Sequence, residues 1–142
     1  MKTEAAQVNG TDMASRIEAN AAQQLAEMEA ETPGAHYYSR HGAGTTLEQQ
    51  YVRSTTGVTP DGLTGNPINS SRFTSNQAQL NAAQRAQTIY NQTGQSAFNF
   101  NMDYFIGEGF TKGGIDLVQT TNVDAVFRNG ELYTMYPYIK PI

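Results

Sequence analysis

The sequence predicts an α+β fold in which N-terminal helices pack on one face of a four- to five-stranded antiparallel meander sheet. Three observations carry this. Apolar residues recur at helical spacing as far as Tyr90 and with a period of two from Phe98 onward. All helical segments precede all strand segments, an order that favours α+β over an alternating parallel sheet. Asn129-Gly130 lies between two alternating runs, the strongest short hairpin signal.

The elements follow in order. Residues 1–10 read as a disordered lead. Thr11 is a candidate N-cap, and Met13, Ile17, Leu25 and Met28, with Ala21 and Ala22 between them, form one apolar stripe on a helix. Thr32-Pro33-Gly34 ends it. A lone amphipathic helix followed by a breaker reads as a linker or appendage, 1–34, joined to a main domain, 35–142. Residues 35–44 are a polar, aromatic loop, and Thr45 with Glu48 matches a capping box for a short helix that turns Leu47 and Tyr51 inward. Residues 55–74 are dense in turn formers, including Pro60-Asp61-Gly62. Ser75 caps the clearest helix, with Leu80, Ala83, Ala86, Ile89 and Tyr90 inward, and Gly94 stops it. Phe98, Phe100 and Met102 then begin the strands. Gly107-Glu108-Gly109 interrupts the second, Lys112-Gly113-Gly114 turns the chain, and Val123, Ala125 and Phe127 continue the alternation. The last strand runs from Glu131, with Leu132, Thr134 and Tyr136 on one face.

Charge is unevenly placed. The net −4 resides in the first 34 residues, where Lys2 and Arg16 face Glu4, Asp12, Glu18, Glu27, Glu29 and Glu31. The remainder is neutral, so the acidic whole-chain balance does not argue against a phosphate-binding face there. The absence of cysteine excludes a disulfide scaffold, a thiol nucleophile and a Cys-ligated metal site. No apolar run approaches the ~18 residues that span a bilayer, and the N-terminus lacks the features of a secretory signal. Neither a metal nor a cofactor is expected: Glu48, the nearest further ligand to the two histidines, belongs to the capping box, and no nucleotide-binding or metalloprotease motif is present.

The residues suited to chemistry are few. His41 titrates near neutrality when solvated, as general acid–base work requires, and Arg40 beside it can hold a phosphate; His36 lies five residues before His41. Arg53, Arg72 and Lys112 flank turns or helix ends where each can neutralise a phosphate. Ser70-Ser71-Arg72, just before a capped helix, can cradle an anion. Thr120 and Thr121, where one strand reverses into the next, offer hydroxyls to a phosphoryl oxygen. Tyr133, Tyr136 and Tyr138 crowd the C-terminus, where a phenol can stack on a base or orient a phosphate.

The ordered set Arg40-His41-Gly42, Thr45 to Gln50, Thr55 to Gly62, Ser71 to Asn76, Gln84-Arg85-Ala86, Ile106 to Phe110, Thr120-Thr121-Asn122 and Thr134 to Pro137 resembles C-terminal toxin domains of bacterial polymorphic toxins. These are of the contact-dependent inhibition, Rhs and type VI effector kinds, and the resemblance covers most of residues 35–142. The helical lead resembles the linker to a delivery protein. Helices followed by a meander also resemble the barnase–EndoU–colicin–RelE ribonucleases. The resemblance implies a metal-independent endoribonuclease acting on tRNA, in which the 2′-hydroxyl attacks phosphorus to leave a 2′,3′-cyclic phosphate. His41, Arg40, Thr120 or Thr121, and Tyr136 would fill the catalytic roles, and Arg53, Arg72, Lys112 and His36 would bind RNA. It further implies delivery as part of a larger effector, action in the target cell's cytoplasm, and a monomer apart from its complex with a cognate immunity protein. An ADP-ribosyltransferase and a non-catalytic interaction module are the alternatives.

Overall fold

The computed structural model describes residues 2–140, with side chains from residue 13 to 140. The chain forms α1 (Lys2–Glu31), α2 (Tyr37–His41), α3 (Leu47–Thr56), β1 (Ser70–Phe73), α4 (Asn76–Thr93), β2 (Ala97–Asn101), β3 (Gly107–Phe110), β4 (Leu117–Thr120), β5 (Asn122–Arg128) and β6 (Glu131–Pro137). The α+β class is as expected, but the helix-then-strand order is broken by β1, which precedes α4. The strands make two antiparallel sheets of three rather than one meander, in the orders β1-β3-β4 and β2-β5-β6.

The division has a local cause. Asp103 adopts a left-handed φ of 66°, which breaks the run after β2 and carries the chain from one sheet to the other. β3 then pairs with β1, the strand hidden in the polar stretch 55–74, and not with β2. Gly107 and Gly109 permit this. A Cβ on Gly109 would stand 2.1 Å from the Ser70 carbonyl, and one on Gly107 would stand 2.3 Å from the Pro137 ring.

The helix signals near the core behave as local chemistry dictates. The Ser75 hydroxyl accepts the Ala78 amide, and Gly94 closes α4 in the left-handed conformation at φ 69°. Ala82, Ala83 and Ala86 bring α4 close to the inner face of β2-β5-β6, where Phe100, Val123, Ala125, Phe127 and Met135 are buried. Tyr90 stacks on Phe127 at 4.4 Å.

Four local expectations are corrected. The backbone is helical from Lys2, not disordered to residue 10; the side chains of Thr11 and Asp12 lie outside the described residues. Residues 37–41 are helix rather than loop. The capping box of α3 is Thr46 with Gln49, one residue later than Thr45 with Glu48. That shift rolls α3, so that Gln50 and Ser54 face the interior while Tyr51 is exposed.

The helix α1 lies along α4. Its stripe is buried at Ala21 and Leu25, while Met13 and Ile17 remain exposed. Two of its carboxylates cap other helices. Glu18 accepts the Asn76 and Gln77 amides at 2.9 and 3.0 Å, and Glu29 accepts those of Tyr38 and Ser39 at 2.6 and 2.9 Å. The open N-terminus of α4, expected to cradle an external anion beside Ser70-Ser71-Arg72, is thus filled from within the chain.

Candidate active site

A cleft of about 640 Å³ opens where α2 and α3 meet the face of β6 away from α4. That volume suits a small organic ligand or a nucleotide. Its polar lining includes Arg40, His41, Arg53, Asp124, Thr134 and Tyr136.

The strand β6 reaches the cleft through a bulge. Val126 pairs with Thr134 but the next residue, Phe127, pairs with Leu132, so Tyr133 is extra. An extra residue reverses the alternation beyond it. Leu132 and Met135 are therefore both buried in the core, and Thr134 and Tyr136 line the cleft. The expected common face for Leu132, Thr134 and Tyr136 fails for this reason.

His41 is the last residue of α2 and only 7% exposed, yet it lines the cleft. Its Nδ1–H donates to the Ser71 carbonyl at 2.7 Å. A carbonyl only accepts, so the proton belongs on Nδ1 and the Nε2 lone pair is free to accept. Burial, with Arg53 and Arg40 nearby, lowers the imidazole pKa to about 3 despite the Ser71 bond and Asp61. At neutral pH the ring is an uncharged acceptor.

Arg53, on α3, points Nη1 at His41 Nε2 from 3.4 Å. Burial and the Arg40 charge lower its pKa, although Asp61 opposes this. Among the described residues it has no carboxylate at ion-pair distance, in contrast to Arg40 and Arg72. A part-buried guanidinium without a counter-ion beside a cleft is a ready partner for an anion.

Tyr136 lies with its ring 5.3 Å from that of His41. Burial raises its pKa first, then the charge of Asp124 and a hydrogen bond to it, so the phenol keeps its proton. Asp124 is the cross-strand partner of Tyr136 and also accepts Asn99 Nδ2 at 2.8 Å. Arg40 stands at the rim, its Nε on the two oxygens of Asp61 at 3.1 and 3.2 Å. Burial resists ionisation of Asp61, but the Thr59 hydroxyl and Arg40 prevail and lower its pKa. His36 shares that carboxylate, with Nδ1 3.3 Å away.

Of the residues singled out in the sequence, the cleft gathers His41, Arg40, Arg53, His36 and Tyr136, with Ser71, Tyr133 and Tyr138 also in its lining, and it leaves out Arg72, Lys112, Thr120 and Thr121. Arg72 donates to Glu108 at 2.8 Å and to the Thr45 carbonyl at 2.7 Å, which fixes it as a tie between β1, β3 and the start of α3. Lys112 is exposed in the β3–β4 turn and does not line the cleft. Thr120 is buried and its hydroxyl accepts the Asn122 amide at 3.1 Å. Thr121 lends its carbonyl to the Met102 amide, and neither threonine lines the cleft. Thr134, Asp124 and Asn69 are polar cleft residues to which sequence reasoning gave no role. The bulge that turns Thr134 outward has no local signature.

No family model and no curated protein matches the sequence. Among solved structures, the chain is similar to one from the crystal structure of a CdiA-CT/CdiI complex from Y. kristensenii 33638, with TM-score 0.55 and 19% identity. The match covers 74% of this chain and all of the other. At that identity the likeness establishes a shared fold.

Proposed function

We propose that this chain is the C-terminal toxin domain of a contact-dependent inhibition type of effector, and that it cleaves RNA without a metal. The observation that carries the reading is the convergence of three groups in one cleft: a neutral imidazole with Nε2 unprotonated, an arginine with no carboxylate at ion-pair distance among the described residues, and a phenol kept protonated. The fold shared with a chain of a CdiA-CT/CdiI complex supports the toxin reading.

In this mechanism His41 Nε2 takes the proton of a ribose 2′-hydroxyl, and the oxygen attacks the adjacent phosphorus. Arg53 leaves the imidazole for the phosphate and neutralises the charge that builds on the phosphorane. Thr134 donates to a non-bridging oxygen. Tyr136 hands its proton to the departing 5′-oxygen, which leaves a 2′,3′-cyclic phosphate and a free 5′-hydroxyl. Arg40 and His36 stand at the rim, where neighbouring phosphates pass. Thr134 takes the role that the sequence offered to Thr120 and Thr121. The target is tRNA, the producer is protected by an immunity protein, and the domain acts in the recipient's cytoplasm after delivery within a larger effector.

Purified chain incubated with total RNA in EDTA should yield fragments ending in cyclic phosphate, and sequencing of their ends should place the cuts in tRNA. RNA left intact at high protein concentration refutes the ribonuclease reading. Consumption of labelled NAD in its place would favour ADP-ribosyl transfer.

A further inference from the structure

The cleft side chains Arg40 and His41 both sit on α2, a helix of five residues. A single turn is far too short to hold its own shape in water. Its backbone is instead gripped from three sides. Glu29 of α1 accepts the Tyr38 and Ser39 amides at 2.6 and 2.9 Å. Gln79 of α4 donates to the Tyr37 carbonyl at 3.0 Å. Gln50 of α3 donates to the Arg40 carbonyl and to the Thr45 hydroxyl, each at 2.9 Å, and accepts the Ser70 hydroxyl. Each of the three long helices sends one polar side chain to the same short one.

Two of these side chains are costly choices. Gln50 and Gln79 are both 0% exposed, and Gln79 Oε1 has no hydrogen-bond partner among the described residues. A buried amide stabilises the interior less than leucine or methionine would, unless its hydrogen bonds do something apolar groups cannot. Gln50 is placed to do so. It joins the carbonyl that immediately precedes His41 to Ser70, the neighbour of Ser71, whose carbonyl holds His41 Nδ1. It therefore sets the spacing between the two elements that fix the imidazole.

We propose that Glu29, Gln50 and Gln79 form a clamp of positioning residues that holds α2 so that His41 Nε2 faces the cleft. The helix α1 is by this argument part of the working site. The catalytic half of the claim rests on the ribonuclease reading, and the structural half does not.

The test uses the full chain with Gln50→Met and Gln79→Met, which keep side-chain volume. Three quantities are read: kcat and KM on a short RNA, the nuclear magnetic resonance signal of the His41 Nδ1 proton, and the melting temperature. Gln50→Met should lower kcat by about tenfold or more with KM within about twofold, as outer partners of reacting groups do. Its Nδ1 proton should broaden or exchange faster. Gln79→Met also removes the unpaired oxygen, so its melting temperature should stay near that of the parent while the Nδ1 signal and kcat both suffer. A folded variant pair with an unchanged Nδ1 signal overturns the clamp, whatever the activity. So does a loss confined to KM. If the parent chain leaves RNA intact, the ribonuclease reading fails by itself, and the Nδ1 signal in the two variants still decides the clamp.

Discussion

Burial of His41 in neutral form makes stability depend on pH in a defined window. In the unfolded chain the imidazole titrates near 6.5, whereas in the fold its pKa is lowered to about 3. The unfolded state thus binds a proton that the folded state refuses. Stability is full above pH 6.5 and declines as pH falls towards 3. Linkage with these values gives a loss of about 2 kcal/mol between pH 7.5 and pH 5. That is a sizeable fraction of the 5–15 kcal/mol by which domains are usually stable. Asp61, whose pKa is lowered from 3.8, loses its contribution only at more acidic pH, so the window isolates the histidine. The assay is urea unfolding of the parent and of His41→Gln at both pH values. The comparison is between pH differences, so any direct cost of the substitution cancels. The parent should lose about 2 kcal/mol more than the variant, roughly a 1 M shift in midpoint. Equal pH dependence in the two proteins would show that His41 is not held neutral by burial, and the reasoning from its buried environment would fail.

The remaining predictions concern the cleft and its supports. Arg53→Ala should cut RNA cleavage by about 100-fold or more while the chain stays folded, because a preorganised cation at the phosphorane is lost; single-turnover kinetics on a defined RNA would show it. Tyr136→Phe keeps the ring against His41 but removes the donated proton, and should reduce kcat by about 100-fold with little change in KM. Arg72→Met should cost about 1–3 kcal/mol by breaking the Glu108 and Thr45 contacts, with activity per folded molecule unchanged. A fall in activity beyond the folded fraction would place Arg72 in RNA binding after all.

Local rules made part of this chain legible. Ser75, Gly94 and Asn129-Gly130 act through their own backbone neighbours, so their roles follow from residue type alone. The alternation of Val123, Ala125 and Phe127 identifies the buried face of β5 because a strand's side chains alternate by geometry. His41, Arg40, Arg53 and Tyr136 stood out by chemistry, and they do share one cleft. The strand β1 was hidden because Ser70 to Phe73 is mostly polar, and its pairing with β3 depends on glycines more than thirty residues away. Arg72 looked as available as Arg53 until Glu108 was seen beside it.

Composition and order settled the α+β class and the ends of α4, and singled out most of the groups able to handle a phosphate, since residue type and local contacts carry these. Tertiary structure alone decided the division into two sheets, the outward turn of Thr134 and Tyr136, and the polar grip on α2. It also decided that His41 is buried and uncharged rather than solvated. These outcomes depend on which distant backbone and side-chain groups exclude water from one another, and a linear pattern does not specify that.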